Sequence, residues 1–368
     1  MSKKIKIMHI INNLEIGGAE KILVLLLNEL SKRADLDIYL VSMEGHGSLA
    51  KEVSSRVHLK EFKYRLFGPR YLGRLNPDFR LGLLQYVKSI KPDIIHGHLI
   101  RSEDIAKVLG GLTNTPVITT SHDMLIFPGL KTKFLNRYVS KAVAVSSAVA
   151  KHLESEYEIE NEKIEVIPNA IEIELFEKGK KKFDINNPVF VYIGRLLESK
   201  GIEDAIRGLA KLKGEYPTMK FLIYGKEVFE SYKKHLDKII ADNDWGFVKF
   251  MGRTEDVPAA LRTGDVFILP SQTEGFAISV LEAAAASKPI IATDTGAIGL
   301  MVKQNKSGIF IDWHAPEQIY WAAKKILDEN LVESYGKEAN KIAKNSFDIK
   351  DVEKSYYDLY VKLASNRD

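Results

Sequence analysis

The most informative stretch of the sequence is residues 265–286, Asp-Val-Phe-Ile-Leu-Pro-Ser-Gln-Thr-Glu-Gly-Phe-Ala-Ile-Ser-Val-Leu-Glu-Ala-Ala-Ala-Ala. Its apolar start predicts a buried strand, the polar middle a turn, and the alanine-rich end a helix. Two carboxylates, Glu274 and Glu282, stand eight residues apart across the predicted helix start. A helix rises about 1.5 Å per residue, so they would lie at most about 12 Å apart. That is roughly the reach from a sugar hydroxyl across a diphosphate to a ribose.

The same helix start offers a place for a phosphate. The backbone N–H groups of Phe276, Ala277 and Ile278 lie at the positive end of the predicted helix, where anions bind favourably. One element could therefore hold a sugar, phosphates and a ribose. Spacing alone leaves a second interpretation open, in which Glu274 caps the helix and Glu282 is solvated.

Short apolar runs that alternate with helical patterns extend from this stretch in both directions. The predicted strands are 5–11, 36–42, 93–96, 116–120, 142–145, 164–167, 188–193, 219–224, 247–250, 265–269, 289–292 and 308–311. The predicted helices are 18–33, 79–90, 101–110, 201–213, 229–242, 279–286 and 316–328. The alternation predicts an α/β protein with two parallel sheets covered by helices on both sides. We place the domains at 1–168 and 169–348, followed by an amphipathic helix at 349–368.

Two cations follow the first predicted strand of the second domain. Arg195 comes directly after Gly194 and Lys200 directly before Gly201, at the carboxyl end of the strand. Parallel sheets bind ligands at this edge, and two cations could neutralise a leaving diphosphate. Two solvated surface cations are the alternative interpretation.

The first domain offers weaker signals. Gly17-Gly18 would let the backbone approach a ligand at a helix N-terminus, although a plain tight turn also explains it. Since no G-x-G-x-x-G pattern is present, a dehydrogenase is disfavoured. His122 follows a predicted strand and precedes Asp123, which could orient it as a donor to a phosphate or hydroxyl. We interpret His96 as a core histidine.

Composition limits the possible functions. The 368 residues suit two domains, and a formal net charge of +4 is too small to indicate nucleic-acid binding. The absence of cysteine excludes disulfides and thiolate metal sites. The apolar part of the N-terminus is too short for a signal peptide, so we expect a cytoplasmic protein. Asp35-Leu-Asp37 and Asp242-Asn-Asp244 are interpreted as surface turns rather than metal sites.

An ordered set of segments resembles the family-four GT-B glycosyltransferases over nearly the whole chain. The segments are Gly17-Gly18-Ala19-Glu20; Pro92-Asp-Ile-Ile-His-Gly-His98; Ser121-His122; Ile167-Pro168-Asn169; Gly194-Arg195 with Lys200-Gly201; Phe250-Met-Gly-Arg253; Asp265 to Ser271; Glu274 to Glu282; and Pro289-Ile-Ile-Ala-Thr-Asp294. The resemblance implies two Rossmann-like domains whose sheets face each other across a cleft. It further implies that residues 1–168 bind the acceptor, that 169–348 bind a nucleotide-sugar, and that 349–368 cross back to the first domain.

The resemblance also implies a role for each site residue. Arg195 and Lys200 would bind the donor diphosphate, Glu274 the hydroxyls of the transferred sugar and Glu282 the ribose. Gly18 would line the cleft below the diphosphate, and Arg253 would lie near the base. His122 would bond the sugar or polarise the reacting centre. The implied reaction retains the anomeric configuration and needs neither a metal nor another cofactor, with a UDP-sugar as the favoured donor.

The chain departs from the family pattern at three places. Ala277 replaces a glycine that often follows Glu-Gly-Phe, and its methyl group would narrow the sugar pocket. Segment 296–301 lacks the usual acidic residue, and Gly225-Lys226-Glu227 replaces a Gly-x-Gly. These departures bear on the identity of the base and the sugar. A UDP-sugar epimerase-type enzyme and a non-catalytic sugar-nucleotide-binding protein are the alternative functions.

Basic and aromatic residues interleave in two segments of the first half, 58–80 and 131–141. Such surfaces can rest on an anionic bilayer and present a lipid-linked acceptor. A solvated loop and a core-facing helix are the alternative interpretation. The resemblance implies two partners, a nucleotide-sugar and a glycan or lipid-linked acceptor of surface polysaccharide or lipopolysaccharide synthesis at the cell envelope. The basic and aromatic segments add an anionic membrane surface as a third expected partner.

Overall fold

A computed structural model describes residues 4–45, 47–62, 66–67, 74–75, 77–122, 128–179 and 182–365. The chain divides into two compact units: unit 1 is residues 1–170 with 349–368, and unit 2 is residues 171–348. The boundary predicted after residue 168 lies two residues before the one observed. None of the helices in the described ranges is both long and apolar enough to cross a membrane.

Unit 1 contains nine strands and, up to residue 155, five helices within the described residues. The strands are β1 (Ile5–Ile11), β2 (Leu36–Ser42), β3 (His58–Glu61), β4 (Leu66–Phe67), β5 (Arg74–Leu75), β6 (Ile94–His98), β7 (Val117–Ser121), β8 (Val139–Ala144) and β9 (Ile164–Val166). The helices are α1 (Gly18–Leu30), α2 (Pro77–Ile90), α3 (Ile100–Thr113), α4 (Leu130–Leu135) and α5 (Ser147–Ser155).

Seven of these strands form one parallel sheet in the order β3-β2-β1-β6-β7-β8-β9. Its central strands are largely buried on both faces, because helices cover both sides, and the buried positions include polar residues such as His96 and Thr120. Ile7 and Ile11 of β1 pack in one core with α1, whereas Met8 and Ile10 pack in a second core with α2 and α3. β4 and β5 form a separate antiparallel pair.

Unit 2 contains the remaining strands and most of the remaining helices. The strands are β10 (Val189–Ile193), β11 (Lys220–Tyr224), β12 (Val248–Gly252), β13 (Val266–Leu269), β14 (Ile290–Thr293) and β15 (Gly308–Ile311). The helices are α6 (Glu174–Glu177), α7 (Ile202–Ala210), α8 (Glu230–Asp242), α9 (Val257–Thr263), α10 (Ile278–Ala285), α11 (Ile298–Met301), α12 (Pro316–Asp328) and α13 (Val332–Ser346). The strands form a parallel sheet in the order β12-β11-β10-β13-β14-β15.

The last helix, α14 (Ile349–Ser365), returns to unit 1. Its apolar stripe, which includes Val352, Tyr356 and Tyr360, packs in the core that contains α1. Glu353 accepts two hydrogen bonds from Arg33, at 2.6 and 3.0 Å. A helix whose sequence follows unit 2 therefore completes the core of unit 1.

The predicted strands of the two main sheets all form, with ends shifted by up to three residues, but several short or polar elements were missed. The edge strand β3 and the helices α4, α5, α9 and α13 lie where the sequence analysis placed no element. α13 is polar on average, and its buried stripe, which includes Tyr335, Ala339 and Ile342, contains small residues as well as large apolar ones. Such elements depend on tertiary packing more than on their own periodicity.

Three buried histidines line up on the face of the unit 1 sheet that α14 covers. His9 Nδ1 and His98 Nε2 are 3.0 Å apart. The ring nitrogens of His96 lie 2.8 Å from Tyr360 Oη and 2.7 Å from Thr120 Oγ1. Burial lowers the pKa of His9 to about 3 and the pKa values of His96 and His98 well below the usual range. His96 is thus the core histidine that the sequence predicted.

These histidines make unit 1 sensitive to acid. The pKa values of these histidines are lower in the folded protein than in the unfolded chain, so below about pH 6.5 the unfolded chain binds more protons. The free energy of unfolding of unit 1 is therefore at its full value above about pH 6.5 and falls as the pH drops below it. Between pH 7.5 and 5.5 we expect unit 1 to lose on the order of 3 kcal/mol. The check is hydrogen-exchange protection of the β6 amides, corrected for the intrinsic rate.

The chain supplies its own reference for this measurement. All three tryptophans, Trp245, Trp313 and Trp321, belong to unit 2, so their fluorescence follows that unit alone. His9→Asn should weaken the pH dependence of β6 protection, whereas His235→Asn, at an exposed histidine of unit 2, should leave it unchanged. Equal protection of β6 at both pH values would contradict the expectation.

Candidate functional site

The candidate site in unit 2 lies at the carboxyl edge of its parallel sheet. The chain fills one side of the sheet from β10 to β12 and then returns to place β13 on the other side of β10. The loops that follow β10 and β13 therefore diverge at a topological switch point. Open parallel sheets bind their ligands at such a point.

The loop between β10 and α7 carries the two predicted cations. Arg195 is exposed, and its backbone oxygen accepts a hydrogen bond from the buried Tyr192 hydroxyl at 2.8 Å. Lys200 ends a short 3-10 turn and is followed by Gly201, whose φ is +66°. A Cβ atom at Gly201 would lie 2.1 Å from the backbone oxygen of Pro270. Only glycine therefore allows this loop to approach the end of β13 so closely.

The loop between β13 and α10 brings the first predicted carboxylate to this loop. Lys200 Nζ lies 2.6 Å from Glu274 Oε1, and the two side chains are only 15% and 14% exposed. Ser271 donates a hydrogen bond to the same oxygen at 2.7 Å. The backbone N–H of Gln272 donates to the oxygen of Ser199 at 2.8 Å. Hydrogen bonds of both backbone and side chains thus join the two loops.

A third loop, which follows β14, packs against the backbone of Glu274. Gly296 has a φ of +60°, and a Cβ atom there would lie 2.0 Å from the backbone oxygen of Glu274. Thr293 donates a hydrogen bond to the backbone oxygen of Ser271 at 2.5 Å. The position of the Glu274 carboxylate is therefore set by loops that follow three adjacent strands.

α10 presents its N-terminus behind this carboxylate. The helix begins at Ile278, with Ala277 as its N-cap, and Glu282 is buried in its second turn. The Phe276 ring is buried at 5.9 Å from the ring of Phe347. Residues 274–277 are not helical, so the helical rise applies only from Ile278 to Glu282, about 6 Å. The first-turn N–H groups point out of the helix at the same edge of the sheet as Glu274.

Arg253 lies further along the same edge, after β12. It is exposed and follows Gly252, which has a φ of +74°. Two large apolar side chains that the sequence analysis did not single out, Phe229 and Met251, are also exposed near the ends of β11 and β12. Phe229 is the N-cap residue of α8. No signal in the sequence marked this residue, because exposure depends on what packs against a side chain.

The predicted residues Gly18 and His122 belong to unit 1. Gly18 is the first residue of α1, and its neighbour Gly17 is the N-cap. His122 follows β7 and lines a cavity of about 10 Å³ together with His98, Thr120 and side chains of α1 and α14. A space of that size suits about one water molecule. Asp123, which we expected to orient His122, lies outside the described residues.

A carboxyl group beside His122 was missed by the sequence analysis. Glu103, in the first turn of α3, is buried and accepts a hydrogen bond from the Ser121 hydroxyl at 3.4 Å. Burial raises the pKa of Glu103 to about 7, although the nearby Lys107 opposes the shift. A single glutamate in a helix gives no sequence signal of burial.

The structure thus brings some predicted residues together and separates others by unit. Lys200 and Glu274 are in contact, and Arg195 shares a loop with Lys200. The other unit 2 residues that the sequence singled out occupy the same sheet edge or the helix behind it: Arg253, Phe276, Ala277, Ile278 and Glu282. The arrangement offers cations, a fixed carboxylate and helix N–H groups, which together suit a phosphorylated polyhydroxyl ligand.

Two family models match consecutive parts of the chain. The model described as Glycosyltransferase Family 4 matches residues 16–175, and the model described as Glycosyl transferases group 1 matches residues 174–347. The two matches together cover residues 16–347, which leaves out β1 and α14 of unit 1. The matched range in the second half contains every unit 2 residue that the sequence analysis singled out.

Curated relatives are similar at low identity over most of their length. A UDP-Gal:alpha-D-GlcNAc-diphosphoundecaprenol alpha-1,3-galactosyltransferase of Escherichia coli is 23% identical over 314 residues, which are 78% of this chain and 80% of the relative. A D-inositol 3-phosphate glycosyltransferase of Corynebacterium diphtheriae is 22% identical over 353 residues, 85% of this chain and 82% of the relative.

Solved structures share the fold. A glycosyltransferase from Rickettsia africae superposes with a TM-score of 0.84 at 19% identity, covering 99% of both chains. Anabaena HepE, solved in complex with UDP and glucose, superposes with a TM-score of 0.81 at 20% identity, covering 96% of this chain and 99% of that one. At these identities the likeness establishes the shared fold of two parallel α/β sheets.

Proposed function

Because the chain belongs to the group 1, family 4 glycosyltransferases of the GT-B fold, we propose that it transfers a sugar from a UDP-sugar to a glycan or lipid-linked acceptor. In this proposal unit 2 binds the donor and unit 1 the acceptor. The observation that carries it is the pairing of Lys200 with Glu274 beside Arg195 at the switch point of unit 2.

The two cations bind the donor diphosphate in this proposal. Arg195 is exposed and offers a planar fork of donors, while Lys200 is largely buried and paired with Glu274. As the bond to the sugar breaks, negative charge grows on the leaving diphosphate, and fixed cations stabilise it most at that stage. The N–H groups at the start of α10 add further positive charge beside the diphosphate. We propose that these groups do the work that a bound metal does in other transferases.

Glu274 holds the sugar in this proposal, and Glu282 the ribose. The Glu274 carboxylate is fixed by Lys200 and Ser271, so it presents its remaining acceptor sites in a set direction. Sugar hydroxyls are donors that suit such a carboxylate. The Ala277 methyl group, buried at the N-cap of α10, narrows the space beside it.

The reaction proposed here retains the anomeric configuration. The acceptor oxygen attacks the anomeric carbon from the face that the diphosphate leaves, the carbon–oxygen bond to the diphosphate breaks, and the acceptor proton passes to a diphosphate oxygen. No protein nucleophile is needed in this scheme. For His122 of unit 1 the proposal keeps the two roles that the resemblance implies, a hydrogen bond to the sugar or polarisation of the reacting centre.

The names of similar proteins favour uridine as the base. The Escherichia coli relative is named for UDP-Gal and a diphosphoundecaprenol acceptor, and the HepE structure contains UDP. Arg253 and the exposed Phe229 lie near the ends of β12 and β11, where they offer a polar and an aromatic contact to a base. The choice between hexosyl and N-acetylhexosaminyl transfer follows from the space beside Ala277.

A nucleotide panel tests the donor assignment. We expect calorimetric titration to give UDP an affinity at least about tenfold higher than GDP or ADP, a difference of about 1.4 kcal/mol. A chelator should leave both UDP binding and turnover unchanged. Tighter binding of GDP or ADP would reassign the base, and the absence of binding by all three nucleotides would overturn the proposed site.

A further inference from the structure

Four apolar side chains of unit 1 extend into solvent from two neighbouring helices. Val108 and Leu112 of α3 are 40% and 62% exposed, and Leu130 and Phe134 of α4 are 87% and 58% exposed. The two positions in each helix are four residues apart, so they share one helix face. Leu130 is the most exposed large apolar residue among those that the structure describes.

Contacts between α3 and α4 show that the two helices are neighbours. Thr132 in α4 donates a hydrogen bond to Asp104 in α3 at 3.1 Å. About two turns further along α3, a Cβ atom at Gly111 would lie 2.8 Å from the ring of Tyr138, three residues after the end of α4. Val108 lies between these two contacts along α3. The four apolar residues together with Lys131 and Arg137 are called the α3–α4 patch.

The charges of the α3–α4 patch are mainly positive. The Lys131 side chain is largely exposed, 4.0 Å from the mostly buried Asp104. The Arg137 guanidinium lies 3.8 Å from the centre of the Phe134 ring and 4.7 Å from that of Tyr138. Lys133 is paired with the exposed Glu158 at 2.6 Å. The two cations Lys131 and Arg137 therefore accompany the apolar side chains of α4.

We propose that the α3–α4 patch binds the surface of an anionic lipid bilayer. Apolar side chains that project from a basic surface enter the boundary between headgroups and acyl chains, while Lys and Arg reach back to the headgroups. The bilayer is favoured over a protein groove because the apolar tips stand outward and cations accompany them. The segment 58–80 is the other basic and aromatic stretch predicted to contact a membrane, and its residues 63–65, 68–73 and 76 lie outside the described residues.

The bilayer proposal rests on the proposed function in one respect, because it concerns where the enzyme would meet a lipid-linked acceptor. A transferase that acts on a lipid-linked acceptor must meet that acceptor at a membrane surface. α4 begins eight residues after His122, and α3 begins two residues after the end of β6. The α3–α4 patch thus extends from near the carboxyl edge of the unit 1 sheet, where the proposed acceptor side lies, toward the opposite edge, because Val108 and Leu112 lie in the second half of α3.

Vesicle sedimentation of the full chain tests the assignment. Mixed phosphatidylcholine and phosphatidylglycerol vesicles at low salt should sediment the protein, whereas phosphatidylcholine alone or high salt should sediment much less of it. The double variant Leu130→Ser, Phe134→Ser should bind the mixed vesicles at least about tenfold more weakly. The matched control Leu300→Ser, Trp321→Ser removes two side chains that are similarly exposed in unit 2 and should bind like the wild type.

Several outcomes would overturn the assignment. The wild type could remain in the supernatant with anionic vesicles, or it could sediment equally with neutral and anionic vesicles. The double variant could also sediment with anionic vesicles to the same extent as the wild type. Light scattering could instead show a wild-type dimer that the double variant abolishes, which would make a second copy the occupant. Calorimetric titration with UDP on the same proteins keeps the two proposals distinct, since donor binding does not involve the α3–α4 patch.

Discussion

Lys200→Ala should weaken UDP binding by about 1.5–3 kcal/mol, a factor of roughly 10 to 150, which is the scale of a hydrogen bond to a charged group. The variant removes a cation and also leaves Glu274 without its partner, so an unpaired and largely buried carboxylate faces the diphosphate. The loss should therefore approach the upper end of the range. Arg195→Ala should weaken UDP binding by an amount in the same range, while the geometry of Glu274 stays intact. The measurement is calorimetric titration with UDP.

A surface ion pair of the same length provides the control for this prediction. Lys344 Nζ lies 2.6 Å from Glu177 in unit 2, and both side chains are substantially exposed. Lys344→Ala should leave UDP affinity unchanged within a factor of two or so, because exposed pairs contribute little and this one is not at the sheet edge. Unchanged affinity of both Lys200→Ala and Arg195→Ala would remove the basis of the proposed donor site.

Glu274→Ala should lower turnover about 100-fold with a UDP-sugar while leaving UDP affinity equal or slightly higher. The sugar loses the carboxylate that positions it, and small displacements of the reacting group are costly. UDP lacks the transferred sugar that Glu274 holds, and Lys200, released from its ion pair, becomes fully available to the diphosphate. Initial rates with the sugar donor and calorimetry with UDP measure the two effects separately.

Two further variants sharpen this prediction. Ser271→Ala removes one hydrogen bond to the Glu274 carboxylate but keeps its ion pair with Lys200, so its effect on turnover should be several-fold smaller. Glu338→Gln, which removes a carboxylate that lies 3.7 Å from Lys303 elsewhere in unit 2, should have no effect. A parallel fall in UDP affinity and turnover for Glu274→Ala would place this residue on the nucleotide rather than on the sugar.

The fold class followed from the sequence because a buried parallel strand has a strong local signal. Runs such as Val189–Ile193 are apolar at every position, which neither a half-exposed strand nor a surface helix allows. Composition also predicted two loops, the turn from Pro270 to Gly275 and the loop from Gly194 to Gly201. Their position after predicted strands was enough to expect a ligand edge. The interdomain cleft stays an expectation from the family resemblance.

The exposed α3–α4 patch was visible in the sequence only as a basic and aromatic segment around α4. The other two apolar residues of the patch, Val108 and Leu112, belong to α3, and in the sequence they look like part of an ordinary apolar helix face. Whether such a residue is buried depends on what packs against it. Solvent exposure is a property of the assembled helices, and no periodicity reports it.

The sequence by itself determined the alternation of strands and helices, the family, and which residue types stand at strand ends, since all of these are encoded in contiguous segments. The tertiary structure alone decided which of these residues meet. Lys200 and Glu274 are 74 positions apart, and their contact exists because β10 and β13 are neighbours and Gly201 lets one loop reach the other. The cluster of His9 with His98, 89 positions apart, depends in the same way on the pairing of β1 with β6. Such contacts are set by strand order and loop packing, which no local pattern in the sequence reports.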